Sequence, residues 1–290
     1  MKNTLLPFIF LFVFMADVVA EDGYRLWLRY DKIQNEVIRK DYMKKLKGFV
    51  TLGNSSTLDI ASSELQYGLT GLLDESVNEK KGVYKNNMII LGKGKEALLK
   101  SLNLEENLAA AGKEGYVIFS GKLNRKKVIV IAGNEDVGVL YGVFHFLRLI
   151  QTHQNIENLL VVESPKLDVR MLNHWDNLDR TVERGYAGFS IWDWHKLPHF
   201  IPQRYHDYAR ANASIGINGT VLTNVNSNAL VLRPDYIEKV KAVADVMRPY
   251  GIKVYLTARF SAPIELGKME TADPLLPEVK DWWKHKVDEI

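Results

Sequence analysis

The sequence predicts an α/β fold, in which an N-terminal α/β domain of sandwich-like architecture precedes the first three βα units of a (β/α)8 TIM barrel. Short apolar strands and amphipathic helices are mixed as far as Ser164-Pro165, where the pattern changes. After this point, strand-like segments alternate with helical patterns, which is the signature of parallel βα units. We therefore expect an N-terminal domain over residues 21–164 and part of a barrel over residues 165–290.

The first residues of the chain resemble an export signal. Lys2 supplies a positive start, residues 5–15 form an apolar stretch, and Val18 and Ala20 give the small-residue pattern of a cleavage site. Because a membrane-spanning helix needs about 20 apolar residues, this stretch is too short to span a bilayer. We expect a signal peptide over residues 1–20, no membrane span in the mature chain, and a periplasmic or extracellular location. An uncleaved anchor is the alternative.

The composition argues against several kinds of partner. The chain has no cysteine, so the exported protein depends on its apolar core, to which 47% of the residues can contribute, rather than on disulfides. A formal net charge of +3 is too small to predict a nucleic-acid partner. Residues 92–95 lack the rest of any nucleotide-binding fingerprint and are interpreted as a turn. We expect no cofactor.

Local patterns in the first half predict a sheet that helices cover on one face. Residues 24–30 alternate apolar and polar positions, as a half-buried strand does. Residues 88–91 form a short buried strand, and residues 115–120 and 127–132 form two more, joined as a hairpin. Residues 136–151 then repeat apolar side chains at helical spacing. Nothing in this half points to catalysis.

The strands of the predicted barrel share one design. Residues 169–177, 219–226 and 252–261 each begin with apolar residues and end with polar or aromatic ones. Helical patterns lie between them, with Pro234 at a favoured first-turn position and Gly251 where a helix stops. In such barrels the carboxyl ends of the strands carry the site. The residues expected to share this rim are Trp175, Asn177, Asn224, Asn226 and Arg259.

The predicted barrel is incomplete, because three strands cannot close one. Residues 278–290 predict a further helix with one apolar face, and the sequence stops there without a capping residue. The apolar positions are Val279, Trp282, Trp283, Val287 and Ile290. We therefore expect a truncated barrel, that is, a fragment of a longer protein that is catalytically silent by itself.

Long runs in the second half resemble one family of enzymes. Residues 170–177, 183–188 and 190–192 are similar to the first barrel strand and loop of the α-glucuronidases of glycoside hydrolase family 67, in particular the secreted bacterial ones. The similarity continues through residues 208–220 and on to residues 224–226, so it covers about residues 165–265. The first half resembles the N-terminal α/β domain of the family in pattern only.

The resemblance implies a reaction and a substrate. The substrate is a short xylo-oligosaccharide that carries α-1,2-linked glucuronic acid, often 4-O-methylated, and hydrolysis inverts the anomeric carbon. Inversion needs one carboxyl group that protonates the leaving oxygen and a second that activates water. In the family these groups come from later barrel strands, so we assign no catalytic residue to this sequence. The resemblance also implies that a full-length protein can form a homodimer.

Four side chains are candidates for contact with the uronic acid. Trp175 and Val225 match family positions in the wall around the sugar, where an indole covers an apolar ring face and a valine faces a methyl ether. Arg184 and Arg259 can pair with the uronate carboxylate through a bidentate guanidinium. Internal salt bridges are the alternative for both arginines.

Other candidates have simpler explanations. Trp192 and Trp194 suggest a sugar platform, but they can equally pack loops beneath the rim. His195 and His199 enclose Pro198, which disrupts the helical geometry of a zinc site, so we expect no metal. Carboxylates near the strand ends are expected to orient arginines or cap helices rather than to catalyse. These carboxylates are Asp176, Glu183 and Asp193.

Two other functions stay open at this stage. One is a non-catalytic carbohydrate-binding protein made of the same α/β domain and a repurposed partial barrel. A reading frame that continues after Ile290 with carboxylates at later strand ends would favour the enzyme over this alternative. The other is a hexosaminidase-like glycosidase, which release of a uronic acid rather than an N-acetylhexosamine would exclude.

Overall fold

The computed structural model of the protein describes residues 21–82 and 84–290. The predicted export signal over residues 1–20 lies outside these ranges. Within them the chain forms a five-stranded sheet followed by a three-stranded sheet, with helices packed against both. The chain passes from one sheet to the other between Glu163 and Met171. None of the helices in these ranges is long and apolar enough to cross a membrane.

The first sheet is mixed. Its strands, in chain order, are β1 (Phe49–Thr51), β2 (Met88–Lys93), β3 (Tyr116–Leu123), β4 (Lys126–Gly133) and β5 (Leu160–Glu163). Their spatial order is β1-β2-β4-β3-β5. The pairs β1–β2 and β2–β4 are parallel, whereas β3 is antiparallel to both of its neighbours. The predicted strand β2 and the predicted hairpin of β3 and β4 are therefore confirmed.

The hairpin turn explains why β3 and β4 pair in this register. The two turn residues, Asn124 and Arg125, have φ angles of 48° and 66°. Two successive positive φ angles are typical of a type I′ turn, whose twist matches that of antiparallel strands. The turn thus sets Leu123 opposite Lys126 and Phe119 opposite Val130.

Helices cover both faces of the first sheet, so the prediction of one covered face was wrong. The helices of this half are α1 (Glu36–Lys45), α2 (Ser56–Leu73), α3 (Ala97–Lys100), α4 (Glu105–Ala111) and α5 (Asp136–Gln151). Helix α5 occupies the predicted range and packs with α2 on one face. Leu99 of α3 and Leu108 of α4 cover the other face. These two helices are too short to produce a recognisable apolar period.

The strands alternate between the two covered faces. Ile89 and Leu91 of β2 join the core under α2 and α5, whereas Ile90 joins the smaller core under α3 and α4. In β4, Ile131 joins the core under α2 and α5, and Val130 joins the core under α3 and α4. Successive strand residues point to opposite faces of a sheet. A strand that is apolar at every position therefore indicates a sheet that is buried on both faces.

Residues 24–30 do not form the predicted strand. They form turns instead, in which the amide of Leu26 donates to the carbonyl of Gly23 at 3.0 Å. Their side chains are fixed by contacts with distant residues: the Trp27 indole nitrogen donates to the Ser214 hydroxyl at 2.8 Å. Long-range contacts, and not pairing with another strand, therefore determine the structure of these residues. A local sequence pattern cannot reveal such contacts.

The second sheet confirms the predicted parallel βα units. Its strands are β6 (Met171–Asn173), β7 (Gly219–Val221) and β8 (Lys253–Tyr255), in that spatial order and all parallel. The helices of this half are α6 (Gln203–Ala213), α7 (Pro234–Met247), α8 (Ala262–Glu265) and α9 (Pro277–Glu289). Pro234 begins α7, as predicted. The register aligns Asn173, Val221 and Tyr255 across the sheet.

The predicted apolar face of the last helix is only partly buried. Val279 of α9 is buried and Trp282 and Trp283 are half-buried, but Val287 and Ile290 are exposed. The two indole rings pack edge to face, with their centroids 4.8 Å apart. The amphipathic pattern therefore predicts the helix correctly and overstates its burial.

One apolar core joins the two halves, and two ion pairs reinforce the contact. The core runs without a break from Leu147 of α5 to Met247 of α7. Arg210 of α6 contacts Glu64 of α2 at 2.7 Å. At the amino ends of β6 and β7, Glu114 contacts Arg170 at 2.5 Å. We call these residues the interface ion pairs.

Candidate functional site

The carboxyl ends of β6 and β7 stay together beyond the last paired strand residues. The amide of His174 donates to the carbonyl of Val221 at 3.1 Å. Further along, the amide of Asn224 donates to the carbonyl of Asp176 at 3.1 Å. These backbone bonds hold the two loops that carry most of the predicted rim residues side by side.

A side-chain contact joins the same two loops. The side-chain amide of Asn224 donates to the side-chain oxygen of Asn177 at 2.5 Å. The oxygen of Asn224 in turn accepts from the backbone amide of Asn226 at 2.6 Å. Asn224 is buried, so the loop after β7 is built around its side chain. Three of the predicted rim residues are thus in one hydrogen-bonded group.

The third strand end joins the group through a residue that the sequence did not single out. The Thr257 hydroxyl donates to the carbonyl of Asn224 at 2.8 Å. It also lies 2.8 Å from the Thr223 hydroxyl. Nothing in the sequence separates Thr257 from other threonines, because its role depends on register between strands. We call Asn177, Asn224, Asn226, Thr223 and Thr257 the rim network.

Two exposed apolar side chains lie beside this network. Trp175 is 53% exposed and Val225 is 63% exposed. The backbone at Trp175 is fixed, because its carbonyl accepts from the amide of Glu183 at 2.8 Å. An exposed indole next to amide and hydroxyl groups provides both the apolar surface and the polar partners that a pyranose ring needs.

The two candidate arginines lie outside the rim network. Arg184 has an 87% exposed side chain, whose Nε is 3.9 Å from Glu183. The Nε of Arg259 lies 3.3 Å from Glu265, and the Ser261 hydroxyl also donates to Glu265. Neither guanidinium donates a hydrogen bond to a rim network residue in the part of the chain that the structure describes. Both arginines thus lie beside a carboxylate of the same chain, as the alternative of internal salt bridges predicted.

Trp192 and Trp194 pack beneath the rim. Both side chains are fully buried, so neither offers a surface for a sugar. The Trp192 ring packs edge to face against Tyr205 and Tyr208 at centroid distances of 5.1 and 5.3 Å. The Trp194 ring lies 5.9 Å from that of Tyr236. Packing, rather than sugar binding, is therefore the role of these two indoles.

A polar chain under the rim was missed in the sequence. His174 Nε2 lies 2.8 Å from the Tyr208 hydroxyl, which lies 3.0 Å from the Thr220 hydroxyl. Burial raises the pKa of Tyr208 to about 12, so its hydroxyl stays protonated at neutral pH. This chain fixes the orientation of the residue that precedes Trp175. His174 follows β6, Tyr208 lies on α6 and Thr220 lies on β7, so no local motif links them.

The carboxylates near the strand ends lie beside basic side chains of the same region. Asp193 accepts from Arg180 at 3.1 Å, and Asp176 is buried with an oxygen 3.7 Å from His174 Nδ1. Among the described residues, no cluster of histidines and carboxylates can hold a metal ion.

Two models of one family match the chain. The model described as "Glycosyl hydrolase family 67 N-terminus" matches residues 26–146. The model described as "Glycosyl hydrolase family 67 middle domain" matches residues 149–290. Together they cover both sheets and every rim network residue.

Two curated fungal proteins are similar to most of the chain. The probable alpha-glucuronidase A of Aspergillus oryzae is 33% identical over 276 residues, which is 93% of this chain. Alpha-glucuronidase A of Aspergillus tubingensis is 31% identical over 278 residues, which is 94% of this chain. The chain spans 32% of the length of each relative. The expected bacterial source stays a prediction.

Solved structures of other glycosidases share the fold. A family GH115 4-O-methyl-alpha-glucuronidase with specificity for decorated arabinogalactans superposes with a TM-score of 0.56 at 14% identity, covering 84% of this chain and 34% of that one. A GH138 enzyme targeting pectin rhamnogalacturonan II gives 0.55 at 15% identity, covering 82% and 28%. At such identities the likeness shows the fold alone.

Proposed function

Since this chain belongs to glycosyl hydrolase family 67, we propose that it forms the N-terminal domain and the first three βα units of an enzyme that acts on xylan. The enzyme removes α-1,2-linked glucuronic acid, with or without a 4-O-methyl group, from xylo-oligosaccharides with inversion. The observation that carries the proposal is the rim network, which joins the carboxyl ends of all three parallel strands. In barrels this end of the strands carries the site.

The rim residues would bind the sugar and not cleave it. The exposed indole of Trp175 covers one face of the glucuronic acid, and Val225 forms an apolar wall for the methyl ether. Asn226 presents an exposed side-chain amide to sugar hydroxyls, whereas Asn177 and Asn224 hold the two loops in place through their own hydrogen bonds. Arg184 and Arg259 reach the uronate only if they leave Glu183 and Glu265. We assign the two carboxyl groups of the inverting mechanism to no residue of this sequence.

The remaining parts of the proposal concern the setting of the enzyme. We propose export directed by residues 1–20, to the periplasm or the cell exterior, and a homodimer of the full-length protein. We also place the boundary between the two domains at Ser164-Pro165. The position of this dipeptide between β5 and β6, the last and first strands of the two sheets, supports that boundary.

Calorimetric titration of the full chain tests the binding role. The ligand is xylotriose that carries 4-O-methylglucuronic acid, and unsubstituted xylotriose is the comparison. Replacing Trp175 by Ala should raise Kd for the substituted ligand about tenfold, since a stacked aromatic contributes about 1–1.5 kcal/mol. Trp27→Ala is a matched control, because that indole is 48% exposed and contacts Ser214 at the end of α6 that leads into the amino end of β7. Equal Kd values for wild type and Trp175→Ala would remove Trp175 from the site.

The product identifies the reaction. The full-length protein should release 4-O-methylglucuronic acid from the same oligosaccharide and no N-acetylhexosamine from a chitin fragment. Release of the hexosamine would favour the hexosaminidase-like alternative. Tight binding of the oligosaccharide without any release would favour the non-catalytic carbohydrate-binding protein.

A further inference from the structure

A buried carboxylate directly follows the exposed Trp175, and the proposed function leaves it unused. The Asp176 side chain is only 6% exposed, and its Oδ1 lies 3.7 Å from Nδ1 of His174. Among the described residues, this is the one ion pair of Asp176. Burial of a carboxylate costs free energy unless a polar or cationic group compensates for the lost water. The Asp176 carboxylate therefore depends on His174.

The His174 ring is held at both nitrogens. A carboxylate beside Nδ1 favours the imidazole tautomer with its proton on that nitrogen, so that Nε2 accepts from the Tyr208 hydroxyl at 2.8 Å. The Tyr208 oxygen in turn lies 3.0 Å from the hydroxyl of Thr220, which is fully buried. The ring also packs edge to face against that of Trp192, with the centroids 5.3 Å apart. These contacts fix the position of His174 within the layer beneath the rim.

The two anchored residues lie on either side of Trp175. The side chains of His174 and Asp176 are mostly buried, whereas Trp175 between them is 53% exposed. Successive side chains of an extended segment point to opposite sides, which accounts for this alternation. The amide of His174 donates to the carbonyl of Val221, and the carbonyl of Asp176 accepts from the amide of Asn224. Backbone and flanking side chains together thus determine the direction in which the Trp175 side chain leaves the backbone.

We propose that His174 and Asp176 form a positioning pair, which holds the Trp175 indole in the orientation that stacks on the sugar. Neither residue of the pair contacts the sugar itself. A side chain that is already ordered loses less conformational freedom when a ligand binds, so the pair strengthens binding through Trp175. The proposal rests on the proposed function, which supplies the sugar. If the pair had only a structural role, its loss would weaken binding whether or not Trp175 is present.

A double-mutant cycle tests whether the pair acts through Trp175. Calorimetric titration of the full chain with the uronate-substituted xylotriose compares wild type, His174→Ala, Trp175→Ala and the double variant. His174→Ala should raise Kd about fivefold, as the loss of one polar contact of ordinary strength does. The same replacement in the Trp175→Ala variant should leave Kd unchanged, because the residue on which it acts is absent. His206→Ala is the matched control, since that histidine is exposed on α6 and should not change Kd in either background.

Milder variants test the carboxylate and guard against unfolding. Asp176→Ala should weaken binding as His174→Ala does, whereas Asp176→Asn keeps an oxygen that accepts from Nδ1 and should stay within about twofold of the wild-type Kd. Tyr208→Phe keeps the packed ring and removes only the hydroxyl, so it replaces His174→Ala in the cycle if that variant does not fold. Its Kd should rise about threefold, and only where Trp175 is present. Urea denaturation shows which variants are folded.

Three results would overturn the positioning role and leave the proposed function standing. Kd could rise by the same factor with and without Trp175, which would mean that the pair acts independently of the indole. Kd could stay unchanged in both His174→Ala and Tyr208→Phe. Asp176→Asn could bind as weakly as Asp176→Ala, which would exclude the side-chain oxygen as the acceptor from His174. Equal Kd values for wild type and Trp175→Ala are a different result, because they would overturn the role of Trp175 and the positioning pair together.

Discussion

The interface ion pairs and the rim network are built from different chemistry. At the interface, charged side chains satisfy one another: both guanidinium nitrogens of Arg210 that face α2 contact Glu64, which also accepts from the Tyr30 hydroxyl at 2.6 Å. At the rim, amides and hydroxyls make the contacts, and Trp175 and Val225 stay exposed beside them.

The difference separates residues that hold the fold from residues that are available to a ligand. The Glu64 side chain is only 6% exposed, so its charge has no partner except those within the fold. Burial alone lowers the pKa of Arg210, but hydrogen bonds and charge from Glu64 raise it above its ordinary value. At the rim, Asn226 and Trp175 keep their side chains open to solvent. We expect mutations at the interface to change stability and mutations at the rim to change binding.

The largest expected effect is that of Glu64→Ala. Loss of one partner leaves the Arg210 charge uncompensated, which should lower the free energy of unfolding by about 3–5 kcal/mol. Urea denaturation measures this change. The double variant Glu64→Leu/Arg210→Leu removes both charges and should lose much less, because no buried charge remains. Equal losses in the single and the double variant would show that the pair does not act as a charged unit.

The fold could be predicted where local signals decide it. The apolar period of residues 136–151, the turn between β3 and β4, and Pro234 at the start of α7 each depend on residues close in sequence, and the structure confirms all three. Residues 24–30 show the opposite case. Their alternation resembles a strand, but contacts such as that of Trp27 with Ser214 settle their structure, and these contacts span 187 residues.

The sequence predicted where the rim residues lie, but not which hydrogen bonds each of them makes. Strand ends in parallel βα units converge, so Asn177, Asn224 and Asn226 could be grouped from the sequence. Whether each one is a candidate for ligand contact depends on what else it touches. Thr257 enters the network and Arg259 pairs with Glu265 because of strand register and loop geometry, which no spacing in the sequence encodes.

A second variant, Asn224→Ala, tests the rim side of the comparison. It removes the contacts with Asn177 and with the amide of Asn226, and it should lower the free energy of unfolding by about 1–2 kcal/mol. Binding of the uronate-substituted xylotriose should weaken at the same time. Asn226→Ala is the matched control for stability, since that side chain is exposed and its backbone amide makes the contact. If Asn224→Ala lowered the free energy of unfolding as much as Glu64→Ala does, the rim would contribute to stability as strongly as the interface, contrary to our expectation.

The smallest expected effect is a pH dependence of the folding stability, which arises from His145 on helix α5. Burial lowers the pKa of His145 below its ordinary value of 6.5, the charge of Arg148 acts in the same direction, and that of Glu163 opposes them. His145 Nδ1 lies 2.8 Å from the Tyr116 hydroxyl, whose pKa burial raises. Because the unfolded chain then binds the proton more readily than the folded one, stability should fall as the pH drops below about 6.5.

Urea midpoints at pH 7.5 and pH 5.5 measure this dependence. Replacing His145 by Gln should reduce the difference between the two midpoints, whereas the exposed His206→Gln should leave it unchanged. The change should be smaller than that of Asn224→Ala, because a half-buried histidine loses only part of its hydration. Protonation of His145 in acid would weaken its contact with the Tyr116 hydroxyl. An unchanged difference in the His145 variant would place the acid sensitivity elsewhere in the molecule.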